Sequence, residues 1–126
     1  MAENTERARV GWIDTDAGGR IHFTVAFRWA ELAETGLYRK LGLIREGRGD
    51  YPRRHVEAEY RIPLVFEDEV EITIRVESVG RTSVRFAWEI VHDDQIAITG
   101  GHTVVQVNAA GRPAPIPEHD RALLTG

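Results

Sequence analysis

The sequence has no cysteine at all. That single absence removes disulfides, thiolate zinc centres, iron–sulfur clusters and a cysteine nucleophile. It also has no lysine- or arginine-rich run: 16 Lys+Arg stand against 20 Asp+Glu, a net charge of −4. Without a basic stripe to displace counterions, a nucleic-acid partner is not expected. Nowhere does an apolar run approach the roughly 20 residues that span a bilayer, so no membrane span is expected. The start, MAENTERARVGW, lacks the apolar centre of a signal peptide, and the expected location is the cytoplasm.

What is present suits one folded domain over residues 1–126. At 42% hydrophobic and 29% charged, the chain lies far from the compositions that stay disordered. No internal repeat or low-complexity linker divides it.

The order of elements carries the fold. Arg7 to Ile13 is a candidate strand, followed by the polar, glycine-rich run Asp14-Thr15-Asp16-Ala17-Gly18-Gly19. From Thr24 to about Leu41, Ala26, Ala30, Ala33, Leu37 and Leu41 recur at spacings of three and four, which predicts a helix. Thr24 is the expected cap, Arg39 and Lys40 suit the negative end of the helix dipole, and Gly42 is a left-handed stop. Gly36 is a weak helix former inside it, at a cost of about 1 kcal/mol. Val25, Phe27, Trp29, Leu32 and Tyr38 widen the apolar stripe, so the helix should be wrapped by other structure.

Strands follow. His55 to Ile62 precedes Pro63. In Glu69 to Val79, Val70, Ile72, Ile74 and Val76 alternate with Glu71, Thr73, Arg75 and Glu77. After a Gly80-Arg81 turn, Val84, Phe86, Trp88 and Ile90 alternate with polar or small residues. An Asp93-Asp94 turn leads into Gln95 to Val107, where Gly100-Gly101 suggests a bulge or sharp bend. A helix about 27 Å long cannot cover a flat five-stranded sheet with strands of roughly 36 Å. The expected class is α+β, an antiparallel sheet curled around one long helix.

The polar run before the helix is the densest candidate for chemistry. Glycines let the backbone turn tightly and approach a ligand, and a helix start offers unpaired N–H groups that stabilise a developing negative charge. A carboxylate beside such donors suits acyl transfer; alternatively, Asp14 and Asp16 simply close turns. His55, His92, His102 and His119 are scattered. Asp14, Asp16 and His22 do not form a convincing cation site, so no metal is expected. Trp12, Trp29 and Trp88 read as core or as walls of an acyl pocket.

DTDAGG, then His22-Phe23, then Arg28-Trp29-Ala30-Glu31 resembles the signature of the 4-hydroxybenzoyl-CoA thioesterase and Tol-Pal-associated acyl-CoA thioesterase branch of the hotdog fold. Ile62-Pro63, Asp68-x-Val70, Gly80-Arg81-x-Ser83 and Gly111 to Pro117 fall in the family's order, so the resemblance covers nearly the whole chain. It implies hydrolysis of an acyl-CoA or acyl-carrier-protein thioester, in a homodimer or homotetramer, with no metal and no cofactor beyond the coenzyme A of the substrate. It makes Asp16 the catalytic carboxylate, either base or nucleophile, and the Phe23 backbone N–H the carbonyl's donor, with Gly18 and Gly19 shaping the substrate loop.

Other positions stay two-sided. Glu31 either orients water or pairs with an Arg; His22 either contacts substrate or is structural; Arg81 either meets CoA phosphates or is an ordinary turn residue. The chain has Val25-Ala26 where family members often have Asn or Ser followed by Tyr, and Phe23 where they often have His. These departures imply an apolar rather than hydroxylated acyl group. They also leave open a non-catalytic acyl-CoA or acyl-carrier-protein binding module. A hotdog dehydratase would need an Asp and His pair in another loop, which this sequence lacks.

Overall fold

The computed structural model describes residues 1–44 and 51–126. Five strands form one antiparallel sheet: β1 (Glu3–Arg9), β2 (Arg53–Tyr60), β3 (Glu69–Val79), β4 (Ser83–His92) and β5 (Gln95–Val105), in the spatial order β1-β3-β4-β5-β2. The long helix α1 (Val25–Lys40) packs against the sheet, and a short helix α2 (Glu118–Thr125) closes the chain. The alternation read in β3 and β4 is the pattern observed: Val70, Ile72, Ile74 and Val76 with Val84, Phe86, Trp88 and Ile90 are buried against Ala26, Trp29, Ala30, Ala33 and Leu37 of α1.

Several boundaries move. The first strand is Glu3–Arg9, not Arg7 to Ile13: its partner β3 begins at Glu69, opposite Arg9, Val10 still exchanges backbone hydrogen bonds of 2.9 Å with Asp68 and Glu67, and beyond it the chain bonds to itself, the Asp14 N–H donating to the Gly11 carbonyl at 3.0 Å. Trp12–Asp14 instead forms one turn of 3₁₀ helix. The second strand starts earlier and ends at Tyr60; the N–H groups of Arg61 and Ile62 both turn onto the Ala97 carbonyl, at 2.8 and 3.1 Å. The last strand stops at Val105, and Val107 makes only an isolated bridge to Pro113. α2, with Leu124 buried, had no periodic signal long enough to show in the sequence.

The glycines also have tertiary reasons. Gly100 and Gly101 pair in register with Trp88 and Ala87, and the shift in that ladder lies at Ile90/Val91 instead. A side chain at Gly100 would collide with the Trp88 ring and the Glu57 carbonyl, so it provides close approach rather than a bend. Gly36 likewise has Glu6 and Asn4 of β1 against its open face, and Asn4 Nδ2 donates to the Ala33 carbonyl at 3.2 Å. The weakness in helix propensity is the condition for seating α1 on β1. Gly42, at φ +72°, is the left-handed stop expected. Asp93 and Asp94 both have positive φ, as a two-residue hairpin turn requires.

Candidate active site

The polar run folds back on itself in front of α1. Thr15 bridges Ile21 in antiparallel fashion, Asp16 N–H donates to the Arg20 carbonyl at 2.8 Å, and His22 N–H donates to the Asp14 carbonyl at 2.8 Å. A second layer of backbone contacts ties this loop to the segment before β3: Ile21 N–H reaches the Leu64 carbonyl at 3.0 Å, and Arg20 bridges Val65.

The two aspartates sit in different environments. Asp14 is buried; its Oδ2 accepts the Gly11 N–H at 2.8 Å, and its Oδ1 is bound by Arg28 from the first turn of α1. That carboxylate ties loop to helix. Asp16 is exposed. Its Oδ1 accepts the Gly18 N–H at 2.8 Å, its carbonyl accepts the Gly19 N–H at 3.0 Å, and Oδ2 has no protein partner among the described residues. Gly19, at φ +79°, makes the turn that returns the chain toward α1. Loop geometry thus holds one oxygen of Asp16 and leaves the other open to solvent.

Phe23 occupies the turn between this loop and the helix. Its backbone N–H is used by no described hydrogen bond, whereas its carbonyl accepts the Tyr60 hydroxyl from β2. Burial pushes the Tyr60 phenol up, so it keeps its proton and stays a donor. Thr24 does not cap α1 with its side chain. His22 takes that place: its Nδ1 accepts the Thr24 N–H at 3.3 Å and lies 2.7 Å from Thr24 Oγ1. The His22 ring also lies 4.6 Å from that of Phe23. These contacts give His22 a local structural role and leave the ring exposed.

Two further positions are not brought to the loop. Glu31 faces Arg53, 3.8 Å away, roughly 9 Å up the helix from its start. Arg81 lies in the β3–β4 turn, at the opposite end of β3 from the Asp16 loop, a separation of roughly 36 Å along the strand. Within one chain it cannot meet the same small ligand as Asp16. Trp12 is exposed and stands edge-on to Phe66 with ring centroids 5.4 Å apart, so only Trp29 and Trp88 belong to the core.

Behind the helix lies a polar cluster that sequence patterning did not single out. Trp88 Nε1–H donates to His102 Nδ1 at 3.2 Å, which places the ring's proton on Nε2, and Nε2 donates to Glu34 Oε1 at 2.9 Å. Arg53 binds the same carboxylate, and the Tyr38 hydroxyl donates to its Oε2 at 2.5 Å. Glu34, His102 and Trp88 are each 2% exposed. Burial pushes the Glu34 carboxyl up, but the hydrogen bond from His102 and then the Arg53 guanidinium outweigh it and hold the carboxyl below its ordinary range. The available signal was His102 sharing the inward positions of β5 with Ile98 and Val104. No group of three or more His, Asp or Glu side chains that could hold a metal occurs among the described residues.

Residues 10–124 match the model of the thioesterase-like superfamily. The chain belongs to that superfamily. Among solved structures, a predicted thioesterase from Bacillus stearothermophilus superposes with a TM-score of 0.90 at 25% identity, covering 98% of this chain and 95% of that one. A thioesterase from Thermus thermophilus, solved with coenzyme A and Zn, is 28% identical, with a TM-score of 0.82 over 94% of this chain and 90% of its own. A gentisyl-coenzyme A thioesterase, BH1999, shares the fold at 23% identity, with a TM-score of 0.85 over 97% and 99% of the two chains. The five-stranded antiparallel sheet with its packed helix is the hotdog architecture. No helix among the described residues is long and apolar enough to cross a membrane.

Proposed function

We propose that this member of the thioesterase-like superfamily hydrolyses an acyl-CoA or acyl-carrier-protein thioester to a free acid and a thiol, within the 4-hydroxybenzoyl-CoA and Tol-Pal-associated branch. The observation that carries the reading is the Asp16 carboxylate, held through one oxygen and open through the other, on the loop that ends at the unused Phe23 N–H. The thioester carbonyl oxygen accepts from Phe23 N–H, which together with the α1 N-terminus stabilises the charge that develops on it. Asp16 either takes a proton from the attacking water or adds to the carbonyl itself, expelling the thiolate and forming an anhydride that water then opens. Gly18 and Gly19 shape the loop, and Tyr60 fixes the Phe23 peptide from across the sheet. Free-thiol detection over a panel of acyl-CoAs tests the reading; release from none of them would leave a binding module of the same fold as the better account.

The working unit is a homodimer or homotetramer. β2 is an edge strand with its outer backbone unpaired among the described residues, and Val56 and Tyr60 on it are large, apolar and exposed. Such an edge invites pairing with a second copy. Arg81, remote from its own chain's Asp16, would contribute to a site only through such an arrangement. Light scattering at micromolar concentration is expected to show a dimer or larger; a 14.2 kDa species would contradict it.

Hydrolysis is assigned to a carboxylate and backbone donors, with no metal or cofactor. Exhaustive treatment with a chelator is expected to leave turnover unchanged, and activity that vanished on chelation and returned with zinc would overturn this assignment.

A further inference from the structure

Three cavities stand out among the described residues, and their charges differ. One, beside β1 and β3, mixes Arg7 and Arg9 with Glu69, Glu71, Asp93 and Asp94; another sets Glu31 and Glu34 against Arg53. The third, of about 390 Å³, has arginines as its only charged lining residues, Arg20 and Arg61. In a chain of net charge −4 this is a local reversal of sign. Neither guanidinium has a carboxylate or other partner among the described residues.

The same cavity abuts the candidate site. Arg20 provides the carbonyl that holds Asp16 N–H, and Tyr60, which also lines it, donates to the Phe23 carbonyl. Its walls are apolar: Ile21, Leu64 and Ile98 are buried and Ile62 is half-buried. The cavity therefore has an apolar floor, with two exposed cations, Arg20 and Arg61, at its rim. Guanidinium groups bind carboxylate and phosphate through paired, charge-assisted hydrogen bonds. The volume is at the small end of the range for ligand pockets, about 300–1,000 Å³, and suits a short acyl group rather than a whole nucleotide.

We propose that this cavity receives the acyl group and that Arg20 and Arg61, exposed at its rim, bind a terminal carboxylate of that group, making the preferred substrate a short dicarboxylic acid monothioester rather than the purely apolar acyl thioester that the Val25-Ala26 and Phe23 departures imply. The identity of the rest of the ligand rests on the thioester reading above; the anion site does not. An anion could also reach the arginines from the phosphates of coenzyme A, and the test separates the two sources.

Affinities of the full chain are to be measured by calorimetry for non-hydrolysable thioether analogues of glutaryl-CoA and pentanoyl-CoA, which differ in one terminal carboxylate. The expected preference for the carboxylate-bearing analogue is about tenfold or more. Arg20→Gln and Arg61→Gln, checked for unchanged melting, are each expected to collapse that ratio toward one. The preference should persist in the corresponding pantetheine analogues, which lack the nucleotide. No preference in the wild-type protein, a ratio untouched by both substitutions, or a preference lost with the nucleotide would each overturn the proposal; the last would assign the arginines to coenzyme A phosphates. Because these are binding measurements, a chain that releases no thiol from any acyl-CoA but keeps the ratio would refute hydrolysis and retain the anion site.

Discussion

Asp16→Asn is expected to lower kcat by about 10²–10⁴ on the best acyl-CoA, with little change in KM or melting temperature. The substitution keeps the size and the oxygen that accepts from Gly18, so the turn survives. It removes the negative charge from the open side of the group, where a proton must be taken or a carbonyl attacked. Asp14→Asn is the matched control, because this carboxylate faces inward. It is buried, closes the 3₁₀ turn through Gly11 N–H and binds Arg28. Weakening those contacts should cost on the order of 1–3 kcal/mol of stability, with a smaller loss of rate. Wild-type turnover in both variants would sink the assigned mechanism. Equal loss of stability in both would reduce the pair to turn closers.

Glu34→Ala is expected to destabilise the fold strongly. Removing this carboxylate strands a buried His102 Nε2–H and the Arg53 guanidinium that shares it. Breaking a buried charged pair from one side typically costs about 3–5 kcal/mol, a fall in melting temperature of roughly 10–20 °C for a chain of this size. The effect also carries a pH signature. The folded-state carboxyl is held below its ordinary range, so its stabilisation is complete above the ordinary carboxylate range and is lost as the pH falls through the folded value. Glu34→Gln removes that titration. Denaturant midpoints measured on acidification should therefore fall more steeply for the wild type than for Glu34→Gln. Parallel curves, or a melting temperature in Glu34→Ala within about 2–3 °C of wild type, would show that the cluster does not hold α1 to the sheet.

The alternation in β3 and β4 was legible because a half-buried strand writes its geometry directly into every second residue. The helix was legible for the same reason at a period of 3.6, and its stop at Gly42 because few other residues adopt that backbone. Edge strands write less. Glu3–Arg9 and Arg53–Tyr60 are largely polar or exposed, and their limits are set by where β3 and β5 offer hydrogen-bond partners. The short α2 also depends on docking, with Leu124 buried and its carbonyl accepting Ala2 N–H at 3.2 Å.

At the candidate site the division is similar. The sequence alone determined the loop with its two carboxylates and glycines, the helix that follows it, and the inward faces of β3 and β4, because each depends on neighbours a few residues apart. Only the tertiary structure decided which aspartate faces solvent, because Arg28 lies 14 residues beyond Asp14 and must fold back to claim it. It alone joined Glu34 to His102 across 68 residues, placed Tyr60 over the Phe23 peptide, and removed Arg81 to the far end of the sheet. Those relations are distances between elements, and distances between elements exist only once burial of the apolar faces has fixed how the helix lies on the sheet.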